Sequence, residues 1–452
     1  MWARLNQAWQ RNPVWYGSLS LDSPDITAAI TVAAVGAPAL IIGGEIATKA
    51  GLGLDQLVLA VPIGIVAGAV LMALVGRPAA ATGTGGPWLF RPGFGSLPAT
   101  VMALVRLVVT LTWGAIALKW AGDRLGAAAA SFGPSIDARI PVFVIGLVAL
   151  IGTLAGPSTV AQKVIRRWLY WATVVAVVVM AWRLLSLPLE ESASPPTANF
   201  LLAFDLMVSF ALILLPYATD VVPFARREEE AAQSVSFAFG VAGMLALVGG
   251  AILAHRLGGV PEDFLGLAVG GLGAALAIGW ILAAHLDDGY TFTTPATSSL
   301  LAVVPWIPGW FLAAVASGGA VAGSLYLDMV LLRQVADIAL IGYAAAIGVL
   351  LADFYLISDR YYQPDQMFKW RGYGFINPLG VVSWLLAVAF VLGLHPTGPD
   401  QVRIWLEGYT SRRVAGLPDV SVALVASFSV YAGLGIIVGR IRARTFPIRG
   451  LK

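Results

Sequence analysis

Asp205, Asp287 and Asp288 stand inside or at the mouth of apolar runs whose other residues suit a membrane interior. A charged side chain at bilayer depth costs at least about 2.5–3.5 kcal/mol, so such residues face a bundle interior or a water-filled path. Carboxylates there can accept N–H groups from a polar cargo or carry a proton. Arg106, Thr110 and Trp113 form a second set, because spacings of four and three place them on one helical face. The arginine could be the counter-ion of Asp205, the threonine could hydrogen-bond a cargo edge, and an indole offers stacking to a flat ring. Plainer readings stand beside these. Asp205 and Arg106 could be a structural ion pair, Asp287 and Asp288 could be solvated residues ending a span, and tryptophan is common at membrane interfaces.

The elements that must carry these residues are membrane helices. The 452-residue chain is 58% hydrophobic and 12% charged, with a mean hydropathy of +0.82. A polytopic membrane protein can turn that much apolar surface toward lipid, whereas a soluble domain has nowhere to hide it. Absence of cysteine excludes disulfides and thiolate metal sites, and the three histidines are scattered. About twelve segments reach the roughly 20 apolar residues of a span, near 26–47, 54–75, 97–122, 139–157, 167–187, 199–222, 235–255, 264–286, 305–326, 335–357, 376–395 and 420–440. The stretch 286–304 is neither clearly apolar nor clearly loop. Basic residues such as Arg4, Arg11, Arg166, Arg167, Arg226, Arg227, Lys369 and Arg440 fall in alternate connections. This predicts a multi-pass protein of the cytoplasmic (inner) membrane with both termini in the cytoplasm. The first 25 residues lack an apolar core, so no cleaved leader is expected there.

Gly36-Ala37-Pro38 interrupts the first span, and Pro216 lies toward the end of the sixth. Interruptions five spans apart suggest two repeats of five helices with broken first helices, whose freed backbone groups line a midplane site. Ordinary proline kinks are the alternative. On the repeat plan, residues 1–25 form an N-terminal tail, 26–187 and 199–357 the two repeats, 376–440 two further spans, and 441–452 a basic tail.

Three short motifs carry a resemblance. Ala352-Asp353-Phe354-Tyr355-Leu356-Ile357 runs through Asp365-Gln366-Met367-Phe368 into Gly372-Tyr373-Gly374-Phe375-Ile376-Asn377-Pro378. Arg91-Pro92-Gly93-Phe94-Gly95 precedes the third span, and Thr219-Asp220-Val221-Val222-Pro223-Phe224-Ala225-Arg226 follows the sixth. In order and placement the set resembles the nucleobase:cation symporter-1 family, the purine and cytosine permease relatives, over residues 25–395. Pro223 departs from the family's arginine, and Pro92-Gly93 from the residues before its Phe-Gly. Leu286-Asp287-Asp288-Gly289-Tyr290 and Phe204-Asp205-Leu206 look closest to a branch that carries hydroxymethylpyrimidine.

The resemblance implies an all-α protein with the five-plus-five inverted repeat of sodium-coupled amino-acid transporters plus two C-terminal helices. It also implies inward movement of a small planar heterocycle by alternating access. Trp113 matches the family's stacking tryptophan. The expected cargo site is Gly36, Ala37, Thr110, Trp113, Asp205, Ser209, Phe210 and Asp287, with Phe210 as a second aromatic wall. Asp287 and Asp288 point about 100° apart on a helix, so at most one is expected to face the site; the resemblance to the branch's motif implies Asp287, with Asp288 turned away. The family's sodium site uses hydroxyls in the eighth span, yet Ala283 and Ala284 stand there, followed by His285. Proton coupling through Asp205, Asp287 or His285 is therefore a rival to sodium, although a shifted register would bring in Thr293 and Thr294. No cofactor, bound metal beyond a sodium ion or nucleic-acid partner is expected; the partners are the cargo and the lipid bilayer, and a monomer is expected. The rival cargo is an amino acid or other small solute, which would need amides of an unwound first helix to hold a carboxylate but no Trp113. An enzyme has no metal or nucleotide motif in its favour.

Overall fold

A computed structural model describes residues 20–130, 136–186, 198–257, 271–370, 372–407 and 418–445, and these are helical apart from their connections and one isolated bridge. The first span is two helices, α1 (Ser23–Ala34) and α2 (Ala37–Thr48), meeting at 50°. Pro38 sits in the first turn of α2, where its missing N–H costs nothing, but it cannot supply the bond that would continue α1. The chain continues as α3 (Leu54–Thr82), α4 (Ser96–Ala130) and α5 (Arg139–Ala155). A 111° corner at Gly156 leads through residues 157–169 into α6 (Tyr170–Ser186). Then come α7 (Phe200–Val221), α8 (Glu228–Leu257), α9 (Gly271–Val303), α10 (Gly309–Tyr326) and α11 (Met329–Ala352), followed by α12 (Pro378–Leu394) and α13 (Asp419–Thr445). Seven described helices are long and apolar enough to cross a membrane, or nine with each bent pair taken as one span. The chain is a multi-pass membrane protein.

Two expectations fail here. The sixth span is not broken: α7 runs unbroken through Pro216 to Val221. It contains no glycine, and transmembrane helices tolerate a lone proline; the Pro216 carbonyl accepts from Arg106 Nη2 at 2.7 Å and from the Thr219 hydroxyl at 3.0 Å, tying the helix to the third span at that point. The eighth span does not end at residue 286, because α9 continues to Val303. Hydroxyls of its polar stretch are used within the helix or against a neighbouring one. Thr297 donates to the Thr293 carbonyl at 2.8 Å, Ser299 to that of Pro295 at 2.7 Å, and Thr294 meets Thr153 at 3.2 Å.

At the core, α4 packs along α9 and α11, while α8 packs against α1, α2 and α3. Backbones touch where α2 meets α8: a Cβ on Gly43 would lie 2.3 Å from the Leu247 carbonyl oxygen. Close approach at small residues is how helices associate without a hydrophobic drive. On the face where α1 begins, Leu21 pairs with Ala225, and its N–H donates to the Phe224 carbonyl at 2.9 Å, tying the start of the first span to the end of the sixth. The other motifs assemble on the same face. The Asn377 N–H donates to the Phe94 carbonyl at 2.7 Å, and the Arg91 guanidinium, its pKa lowered by burial, donates to the Met367 carbonyl. Asp353 accepts from the hydroxyls of Tyr362 and Tyr431, both at 2.7 Å.

Candidate functional site

The break between α1 and α2 is where the first and eighth spans meet. Asp288, 1% exposed, accepts the Ala37 N–H on Oδ2 at 2.9 Å. Gly36 lies so close that a Cβ there would fall 1.9 Å from Asp288 Oδ1. A helix N-terminus attracts negative charge, and this one is occupied by the protein's own carboxylate. Asp288 is therefore not turned away: it reaches the break, while Asp287 accepts from the Thr291 hydroxyl of its own helix on Oδ2 at 3.0 Å. Tyr217 on α7 and Tyr290 on α9 lie within electrostatic reach of Asp287, their rings edge-on at 5.8 Å. Neither acid ends a span; both are buried in the middle of α9.

Trp113 is 1% exposed at the middle of α4. The Arg333 guanidinium, from the first turns of α11, stands 4.7 Å from the centroid of its indole. Arg333 Nη2 reaches both Glu45 oxygens, on α2, at 2.6 Å. Trp113 Nε1, Arg333 Nη1, Asp287 Oδ1 and the Tyr217 hydroxyl are buried without a hydrogen-bond partner among the described residues. Thr110 is buried beside Trp113 but donates to its own helix, to the carbonyls of Arg106 and Leu107 at 3.0 Å.

The remaining expected residues separate from this cluster. Asp205 is not the counter-ion of Arg106. Its two oxygens accept the N–H groups of Val420 at 3.2 Å and Ser421 at 2.7 Å, so it caps the first turn of α13. Arg106, fully buried, instead pairs with Asp220 at 2.9 Å. Arg106 also donates to the Pro295 carbonyl, Ser298 and Ser299, while Asp220 accepts from the Gly86 N–H and from Ser298. Phe210 stacks against Phe239 of α8 at 5.2 Å rather than opposite Trp113, since an unbroken α7 leaves no gap to turn it inward. Ser209 is buried on the same helix. Ala283, Ala284 and His285 belong to α9, but their side chains fall outside the described residues.

Arg333, Glu45, Asp220 and Tyr217 were not singled out as site residues. Glu45 and Arg333 were open to the same signal as the acids, charge within an apolar run.

The backbone matches solved transporters along nearly its whole length. Over 95% of this chain and 94% of the other, it aligns at 15% identity and a TM-score of 0.73 with Mhp1, a nucleobase-cation-symport-1 family transporter, in a closed conformation with bromovinylhydantoin bound. The inward-facing conformation of Mhp1 aligns at 17% identity and 0.66 over 95% and 92%. The chain has the leucine-transporter-type fold. In that fold two repeats of five spans lie in opposite orientation, and here α12 and α13 follow them. No family model and no curated protein matches the sequence. The unsatisfied groups of Trp113, Tyr217 and Asp287 come from the third, sixth and eighth spans.

Proposed function

We propose that this protein is a secondary active importer of a nucleobase-like heterocycle, working by cation-coupled alternating access as a member of the nucleobase:cation symporter-1 family. The observation that carries the reading is the occupancy of the broken helix by Asp288. An amino-acid carrier on this fold needs those amides for the substrate carboxylate, and here the slot already holds a carboxylate. A second anion beside Asp287 and Asp288 would be repelled. The unsatisfied groups suit a planar ring with both donors and acceptors on its edge: Trp113 Nε1 seeks an acceptor, Asp287 Oδ1 seeks a donor, and the Tyr217 hydroxyl takes either. Bromovinylhydantoin, bound in Mhp1, is also a small heterocycle.

For the coupling ion, Asp287 suits a proton, because its Oδ1 is buried without a hydrogen-bond partner among the described residues. Sodium remains the competing ion. The distribution of Lys and Arg over alternate connections supports a cytoplasmic-membrane protein with both termini inside, and cytosine or hydroxymethylpyrimidine is the first cargo to try. Purified protein in liposomes, given tritiated cytosine, hydroxymethylpyrimidine, uracil and adenine under imposed proton or sodium gradients, provides the test. Concentrative uptake of at least one base under a proton gradient is expected. Uptake indifferent to both gradients would rule out symport, and uptake unchanged in Trp113→Ala would remove the stacking role.

A further inference from the structure

Trp113 has one face covered by a charged group from a different part of the molecule. Arg333 lies one turn into α11, Glu45 lies one turn from the end of α2, and both therefore sit between the mid-membrane indole and the face opposite the N-terminal one. Arg333 is 4.7 Å from the indole centroid, and both oxygens of Glu45 lie 2.6 Å from its Nη2. Lys49 holds Glu45 from the same helix at 2.9 Å, and Asp337, one turn along α11, lies within electrostatic reach of Arg333. Buried charge survives in a membrane protein only when paired, which accounts for Glu45 meeting Arg333. It does not account for the guanidinium lying over an indole, nor for Arg333 Nη1 and Trp113 Nε1 both being left without acceptors among the described residues.

We propose that Arg333 is the second wall of the cargo site, stacking on the heterocycle from the side opposite Trp113. Glu45 is the positioning residue that holds it, and the Arg333–Trp113 contact is the one that parts to admit cargo. This rests on the heterocycle reading above. A guanidinium is flat and weakly hydrated, and it stacks on rings as well as pairing with carboxylates. It can therefore take the role of second wall expected of Phe210, which packs against Phe239 instead. Nη1 is then free to donate to a ring carbonyl while Nη2 keeps Glu45. Lysine would preserve the charge but not the plane.

Two measurements test this. The first is equilibrium binding of tritiated cytosine and hydroxymethylpyrimidine to purified protein. Arg333→Lys and Arg333→Gln are expected to weaken binding about tenfold or more, the scale of a desolvated stacked cation. Glu45→Gln is expected to weaken it less, and Glu45→Asp to restore most of the affinity. The second needs no cargo. Because the chain has no cysteine, Thr110→Cys places a single thiol one turn beyond Trp113, on the far side from Arg333. A membrane-impermeant methanethiosulfonate should label it slowly, several-fold faster with Glu45→Gln or Arg333→Gln, and at the slow rate with Glu45→Asp. Equal labelling rates in all four proteins, each monodisperse and cooperatively melting, would overturn the closure. Full cytosine affinity in Arg333→Lys would overturn the wall. If no base bound the unmodified protein, the heterocycle reading would fail while the labelling still decided the closure.

Discussion

The Asp288 carboxylate accepts the Ala37 N–H at 2.9 Å, so an acid from the eighth span closes the gap in the first. A Cβ on Gly36 would lie 1.9 Å from Asp288 Oδ1, too close for any side chain unless the carboxylate moves. Gly36→Ala should therefore expel Asp288 from the break, at a cost of about 1–3 kcal/mol for the overpacking. Uptake should fall at least about tenfold, as expected when site geometry shifts by about an ångström. Asp288→Ala relieves the crowding but leaves the Ala37 N–H unsatisfied, so the double variant should melt above Gly36→Ala alone. Tryptophan-fluorescence melting checks this; additive losses in the double variant would mean that the two residues do not compete for space.

Arg106 and Asp220 form a buried pair that joins the third, sixth and eighth spans to residues 86–90. Deleting one partner strands a charge in a low-dielectric interior, at about 3–5 kcal/mol. Asp220→Ala should therefore be among the most destabilising single changes in the protein, and Asp220→Asn milder. Adding Arg106→Met to Asp220→Ala should recover part of the loss, because no lone charge remains. A melting point for Asp220→Ala within a degree of the parent would show that the pair carries no such load.

Much of the architecture is legible from sequence because the signals are long. A run of about twenty apolar residues is hard to mistake, and the Gly36-Ala37-Pro38 break combines a glycine with a proline that cannot continue the helix. Pro216 gives the same proline signal but without a glycine beside it, and the helix runs on through it. The end of α9 is hidden as well. Thr291 to Ser299 look like a polar loop until their hydroxyls are seen to be satisfied within the bundle. The site suffers most, since the partner of an acid is a tertiary fact. Asp205 and Asp287 are alike as charges in apolar runs, yet one binds two backbone amides and the other has an oxygen without a partner among the described residues.

That contrast separates Asp205 from the transport chemistry. As the cap of α13 it should contribute about 0.5–2 kcal/mol of stability. Asp205→Asn keeps one acceptor and should retain most of the uptake with a slightly lowered melting point, and Asp205→Ala should lose more stability. Abolished uptake in Asp205→Asn at an unchanged melting point would return this residue to the cargo or coupling machinery.

Asp287 should behave in the opposite way. Its Oδ1 is buried without a partner among the described residues, and Asp288 adjoins it, so a proton or a cargo N–H is the natural occupant. Asp287→Asn keeps the volume and the bond from Thr291 but removes the titration. If the residue carries the coupling proton, the variant should still exchange internal for external cytosine across the membrane, because exchange needs no net proton movement. Concentrative uptake driven by an imposed proton gradient should vanish. If the residue only binds cargo, exchange and driven uptake should fall together, and raising external cytosine should rescue both. Proton-driven accumulation persisting in Asp287→Asn would pass the coupling role to another group. Asp288 would be the next candidate, because it touches the break in the first span.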